Sequence, residues 1–167
     1  MNTRNLFFVG LIVVCPIALA GQAKVTWESP EKYADVRAAE EHRQRFQQRV
    51  FQQLEQEFQK LADTLPQSQT WQITVTNLDL AGEVRHQMLR NGRSVRVVKD
   101  LYYPSISFCY QLIDGNQIIQ EKTVKLRDLG FLHRAGRQQY SRQLVGDEAQ
   151  MIRNWFAKNM KHSSNGY

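Results

Sequence analysis

Between Glu83 and Asp100 the chain carries no acidic residue and five basic ones, Arg85, Arg90, Arg93, Arg96 and Lys99. A second basic stretch follows, with Arg134, Arg137 and Arg142. Arginine presents a planar fork of N–H donors that grips a phosphate or carboxylate at two points. If the two stretches meet in the fold, they make a cationic surface edged by the rings of Tyr102, Tyr103, Phe131 and Tyr140. The anion-binding residues expected on this reading are Arg85, Arg90, Arg93, Arg96, Lys99, Arg134 and Arg137. The plainer expectation is that these cations are solvated loop charges, some of them paired with Glu83, Asp100 or Asp128.

Carboxylates offer a rival chemistry. Asp79, Glu83, Asp100 and Asp128 lie in or beside loops. Two that converge within about 5–10 Å would make an acid–base pair for hydrolysis, with Asp79 and Asp100 the pair to test. Capping and salt bridging around long connections is the stronger explanation of these residues.

Other chemistries find no residues to carry them. His42, His86, His133 and His162 are scattered without metal-ligand spacing, and HExxH and CxxC are absent, so zinc has no ligand set. The chain has no GxSxG turn and no Gly-rich phosphate loop. Cys109, between Phe108 and Tyr110 in a strand-like run, is expected to be a buried and inert thiol. Trp27, Trp71 and Trp155 fall within apolar patterns that already account for them, so they read as core. No cofactor is implied. A net charge of +6 selects only weakly for anionic partners, and without a recognition motif nucleic acid is not expected.

The elements that must position these residues follow an N-terminal leader. Arg4, an apolar run from Leu6 to Ile17 and Ala18-Leu19-Ala20 form a signal-peptide pattern, with cleavage expected before Gly21 and a second possible cut after Ala23. The run is too short for a membrane anchor, which needs about 20 residues. Cys15, between bulky Val14 and Pro16, does not suit a lipoprotein site. Loss of residues 1–20 removes Arg4 and Cys15, leaving 21 basic against 16 acidic residues and one cysteine, so no internal disulfide can form. The domain expected over residues 21–161 must hold itself together by its core, and 162–167 read as a frayed tail.

Lys24 to Trp27 reads as a short strand. Phe46, Val50, Leu54, Phe58, Leu61 and Leu65, with Phe51, predict a long helix within 39–65, its apolar arc about 140° wide and its Gln-rich face solvated. Pro66 stops it. Thr70 to Leu78 and Ser105 to Ile113 alternate as half-buried strands, and Asp114-Gly115 turns the second into a return strand over about 117–126. Glu121, Lys122 and Lys125 mark that strand as an edge. Val95 and Val97 suggest a short strand inside the basic stretch, and Gly82 a tight turn. A second amphipathic helix is expected over 147–161, with Asp147 as N-cap. One strand–helix–strand crossover plus a hairpin predicts an α+β two-layer sandwich: an antiparallel or mixed sheet of about four strands, packed by one long helix and a C-terminal helix.

The segments "VTWESPEKYADVR", "TVTNLDLAGEVR", "VRVVKDLYYPSISFCYQL", "LRDLGFL" and "MIRNWF" occur in that order over roughly residues 24–157. Together they resemble domain-of-unknown-function family 3016, small exported proteins of Gram-negative bacteria. The resemblance implies an envelope location and a single domain. It implies no activity and no catalytic residue, although Asp79, Gly82, Arg96, Lys99 and Asp100 fall within its segments. The expected protein is therefore a periplasmic, non-enzymatic binding or accessory module. It would contact an anionic envelope component or a partner protein through the basic loop at 85–99, with a small envelope hydrolase as the alternative. A structural subunit packing through the charged edge strand is the third expectation. Oligomeric state is not encoded in any of these patterns.

Overall fold

The structure, a computed structural model, describes residues 20–33, 35–86 and 93–160. The leader, Arg90 and the C-terminal tail lie outside the described residues. Strand β1 (Gln22–Trp27) leads through a short 3-10 turn at Pro30–Lys32 into helix α1 (Arg43–Ala62), then β2 (Gln69–Asp79). A small hairpin, β3 (Glu83–Arg85) and β4 (Val95–Val97), precedes the long hairpin β5 (Ser105–Asp114) and β6 (Gln117–Arg127). Two further 3-10 turns then lead to helix α2 (Gly146–Asn159).

The main sheet runs β1-β2-β5-β6, with β1 parallel to β2 and the other neighbours antiparallel. The fold is α+β with a mixed sheet, and β6 with its charged residues is one edge. Alternation explains the layering. Trp71, Ile73 and Val75 of β2 and Ile106, Phe108, Tyr110 and Leu112 of β5 point to one side. They join Phe46, Val50, Leu54 and Phe58 of α1 and Met151, Ile152 and Phe156 of α2 in a single apolar cluster. Both helices therefore cover the same face. The other face is polar and open, with Lys24, Gln72, Thr76, Cys109 and Thr123 exposed.

The buried centre is aromatic. Phe58 meets Trp71 edge-on at 5.4 Å, Phe108 meets Trp155 at 5.2 Å, and Tyr110 meets Trp155 at 5.6 Å between ring centroids. Such contacts add about 0.5–1.5 kcal/mol each beyond area burial.

A bulge at Thr76 interrupts β2: Val75 pairs with Phe108, and Asn77 pairs with Ser107, the next residue along. The extra residue shifts the alternation, so Leu78 and Leu80 are buried and Asp79 between them is not.

Three local expectations are corrected. Cys109 is exposed, its sulfur 3.4 Å from the Thr123 hydroxyl, because its neighbours Phe108 and Tyr110 take the covered side and no element among the described residues covers the other. Val145, not Asp147, occupies the N-cap of α2, and Asp147 inside the first turn is ion-paired with Arg137. On α1, Gln47 and Gln59 are not simply solvated. Gln47 donates to the Pro30 carbonyl, and Gln59 donates to the Gly21 carbonyl while accepting from the Ala23 N–H, tying the preceding strand to the helix.

Candidate functional site

Most of the expected anion grips are already occupied. Arg85 donates to Glu83 at 3.2 Å and to the Tyr102 hydroxyl at 3.1 Å, and Arg93 pairs with Glu40 at 3.3 Å. Arg134 pairs with Asp128 at 2.7 Å. Arg137 holds Asp147 through two nitrogens at 2.9 and 2.7 Å, with its guanidinium 5.3 Å above the Phe131 ring. Lys99 and Arg142 are exposed and make no ion pair among the described residues.

Arg96 is the centre of this arrangement. Its Nη1 donates to Asp35 Oδ2 at 2.6 Å and to the carbonyls of Ala81 and Gly82 at 3.3 and 2.8 Å. Its Nη2 donates to the carbonyls of Asp35 and Arg37 at 2.9 and 2.8 Å. One side chain thus joins the β1–α1 connection, the turn after β2 and the small hairpin. Gly82 makes this approach possible: its φ is 85°, and a Cβ there would lie 2.8 Å from the Val97 carbonyl. Its N–H donates to the Tyr102 carbonyl at 2.9 Å, which pins the 99–104 connection to the same turn.

Two clefts flank that turn, and Leu80 lines both. The smaller, about 280 Å³, has Phe46, Val98 and Leu144 on its apolar side and Arg96, Arg137 and Glu148 on its polar side. The two basic connections therefore do meet, at Arg96 and Arg137, but both guanidinium groups arrive already paired. Glu148 is 2 % exposed and accepts the Ala81 N–H at 2.7 Å. Burial pushes its carboxyl up to about 7, and the hydrogen bond from Ala81 offsets only part of that.

The larger cleft, about 480 Å³, sits at one end of the open sheet face. Register puts Asp79 opposite Ser105 and Ser105 opposite Arg127, so β2, β5 and β6 contribute one row. Directly opposed residues share a face, and burial of Leu78, Leu80 and Ile106 on the other side shows which face it is. Asp35 and Arg37 come from the β1–α1 connection, and Tyr102 and Tyr103 from the connection before β5. Burial raises the Asp79 carboxyl, the like charge of Asp35 adds to this, and Arg96 works against it. Glu83, also on this cleft, moves the other way. The Tyr102 hydroxyl bonded to it and then Arg85 hold its carboxyl low.

The side chains of Asp79 and Arg127 make no hydrogen bond or ion pair among the described residues. They are opposite charges on one row with no partner of their own. Asp100, the other half of the carboxylate pair expected from sequence, is not part of this lining and lies 3.7 Å from His133 instead. Among the described residues, no group of three His, Cys, Asp or Glu could hold a metal ion, and no helix is long and apolar enough to cross a membrane.

Sequence reasoning passed over Asp35, Arg37, Ser105, Arg127 and Glu148. Arg127 could have been found by carrying the hairpin register outward from Asp114-Gly115 to the far end of both strands. Ser105 would have followed from the same step.

A mixed four-stranded sheet, helices on one face and a charged cleft at the end of the other, defines an α+β domain of two layers. A model of the family described as "Protein of unknown function (DUF3016)" matches residues 21–158, and the chain belongs to that family. No curated protein and no solved structure matches it.

Proposed function

We propose that the protein is exported and acts in the cell envelope as a non-enzymatic binding or accessory module, with the open-face cleft as its contact site. The carrying observation is the unpartnered pair Asp79 and Arg127 on one row of that cleft. Asp79, half-buried, and Arg127, exposed, carry charge that has no partner among the described residues and is so free for a ligand, whereas the described arginines of the 85–99 loop largely serve as scaffold. Export is supported by the leader pattern, by the family match starting at Gly21, and by β1 starting at Gln22. Cleavage after Ala23 would remove two residues of β1, so the cut before Gly21 suits the fold better. The N-terminal residue of the protein in a periplasmic extract is expected to be Gly21.

The binding test uses Ser105→Trp, which fills the cleft from the open face without entering the core. Wild-type protein is expected to retain a component on an array of envelope saccharides, wall peptides and lipid headgroups, and the variant to lose it. Equal retention by both proteins, or none by either, overturns the reading.

Hydrolysis has one observation on its side, since one carboxyl of the cleft, Asp79, is raised and another, Glu83, is lowered. Binding is preferred because Glu83 is already engaged by Arg85 and Tyr102. Turnover of any retained component that Asp79→Asn abolishes would reverse that preference.

A further inference from the structure

We infer that the open-face cleft takes a free α-amino acid, its ammonium on Asp79 and its carboxylate on Arg127. The inference rests on the cleft being a binding site and adds the class of ligand. Its basis is the row across β2, β5 and β6. Asp79 and Arg127 are each paired with Ser105, so one strand separates them. Strands lie about 4.8 Å apart, which puts the two Cα atoms about 10 Å from each other with side chains rising from the same face. A hydrogen bond of about 3 Å at each end leaves about 4 Å between the ligand's own charged groups. One ammonium and one carboxylate on a single α-carbon span that distance, and a dipeptide exceeds it unless the arginine leans away.

Charge and shape agree with this assignment. A phosphate or other pure anion would sit against Arg127 but face Asp79, with Asp35 and Glu83 also on the lining. A pure cation would meet Arg127 and Arg37 in the same way. Only a ligand carrying both signs, in this order and at this spacing, leaves neither charge opposed. Ser105 lies between the two ends, where its hydroxyl is placed to bond either group. Tyr102 and Tyr103 supply apolar ring surface at the cleft for the ligand's side chain. Glu83 is engaged by Arg85 and Tyr102, and Asp35 by Arg96, so they do not compete with Asp79 for the ammonium.

The test is a thermal-shift screen of the purified protein against each of the twenty common L-amino acids, D-alanine and D-glutamate, followed by calorimetric titration of the strongest binder. Its N-acetyl derivative, which lacks the ammonium, and its amide, which lacks the carboxylate, are each expected to bind at least tenfold more weakly. Asp79→Asn should remove the discrimination against the N-acetyl form while keeping that against the amide, and Arg127→Gln the reverse. Both residues lie off the core, and unchanged circular dichroism would establish that the variants fold. Equal affinity for free and blocked forms overturns the inference. So does the absence of any amino-acid binding, even if the array then finds a saccharide or headgroup displaced by Ser105→Trp. In that last case the binding module stands and only its ligand class falls.

Discussion

At one end of the sheet, Trp71, Phe108, Tyr110, Trp155 and Phe58 meet edge-on in an apolar cluster shared with Ile73, Leu112 and Ile152. At the other end, beyond the bulge in β2, the packing runs through Arg96, which bonds Asp35 and four main-chain carbonyls. The first end depends on area and shape, so it is indifferent to pH and salt. The second depends on donors meeting acceptors at fixed angles, and it holds buried titratable groups. The cleft belongs to the second end. A site that must present unpaired charge needs neighbours whose own charges are locked, and a lattice of paired arginines supplies that where hydrocarbon cannot.

Phe58→Ala probes the aromatic end and should have the largest effect. Phe58 is fully buried, and truncating a buried phenylalanine costs about 3–5 kcal/mol. The midpoint of urea unfolding should fall accordingly, equally at pH 5 and pH 8. A pH-dependent loss would erase the distinction drawn between the two ends.

Arg96→Ala is the matching probe at the clamped end. It leaves the Asp35 carboxylate and its carbonyl partners without their donor, and removing one member of a buried pair costs about 3–5 kcal/mol. Arg96 retains 21 % exposure, so about 2–4 kcal/mol is expected by denaturant titration. Unlike Phe58→Ala, it should also weaken whatever the cleft binds, because the turn carrying Leu80 to Gly82 loses its tie. Equal ligand affinity in the two variants at a temperature where both are folded would count against the clamp as support for the site.

Glu148→Gln tests the buried carboxyl. Its pKa is raised on folding from 4.5 to about 7. Below pH 4.5 both states are protonated and the group is neutral to stability. Between those values the native state keeps a proton that the unfolded chain releases, so stability falls as pH rises, and above 7 the full cost stands. At about 1.4 kcal/mol per pH unit, that cost is on the order of 3 kcal/mol. Glutamine keeps an oxygen for the Ala81 N–H and has no charge to bury. The variant should therefore be more stable than wild type at pH 8, with little difference at pH 4. Parallel unfolding curves across this range would overturn it.

Arg93→Ala is the smallest. The Arg93 side chain is 62 % exposed, and a pair of this kind is worth about 0–1 kcal/mol. A melting temperature shifted no further than that range allows would place the rim of the hairpin outside both load-carrying regions.

The fold was largely legible because its signals are local. The four-residue recurrence from Phe46 to Phe58 and the alternation from Trp71 to Val75 each report which side of an element is buried. Both helices, the long hairpin and the edge character of β6 followed from such patterns. The fate of the arginines was not legible. Arg96 and Arg93 find Asp35 and Glu40 across 61 and 53 residues of sequence, and no periodicity connects residues that far apart. Cys109 shows a second limit. Alternation told which face it shares with Thr74 and Thr123, but not that this face is left uncovered. The row of Asp79, Ser105 and Arg127 was hidden for a third reason: the bulge breaks the pattern of β2 just before Asp79, so simple counting assigns it to the wrong side.

That miscount has a consequence for how the site can be gained or lost. Carried on from Val75 without interruption, a two-residue period would send Asp79 into the core beside Ile106 and push Leu78 into water. A single-codon deletion of Thr76 would instead remove the extra residue and leave Asn77, Leu78 and Asp79 on the partners and faces they already have, so the bulge can be lost without losing the carboxylate. Among relatives, a segment one residue shorter between Trp71 and Gly82 is then expected to go with a regular β2 and a carboxylate still on the open face.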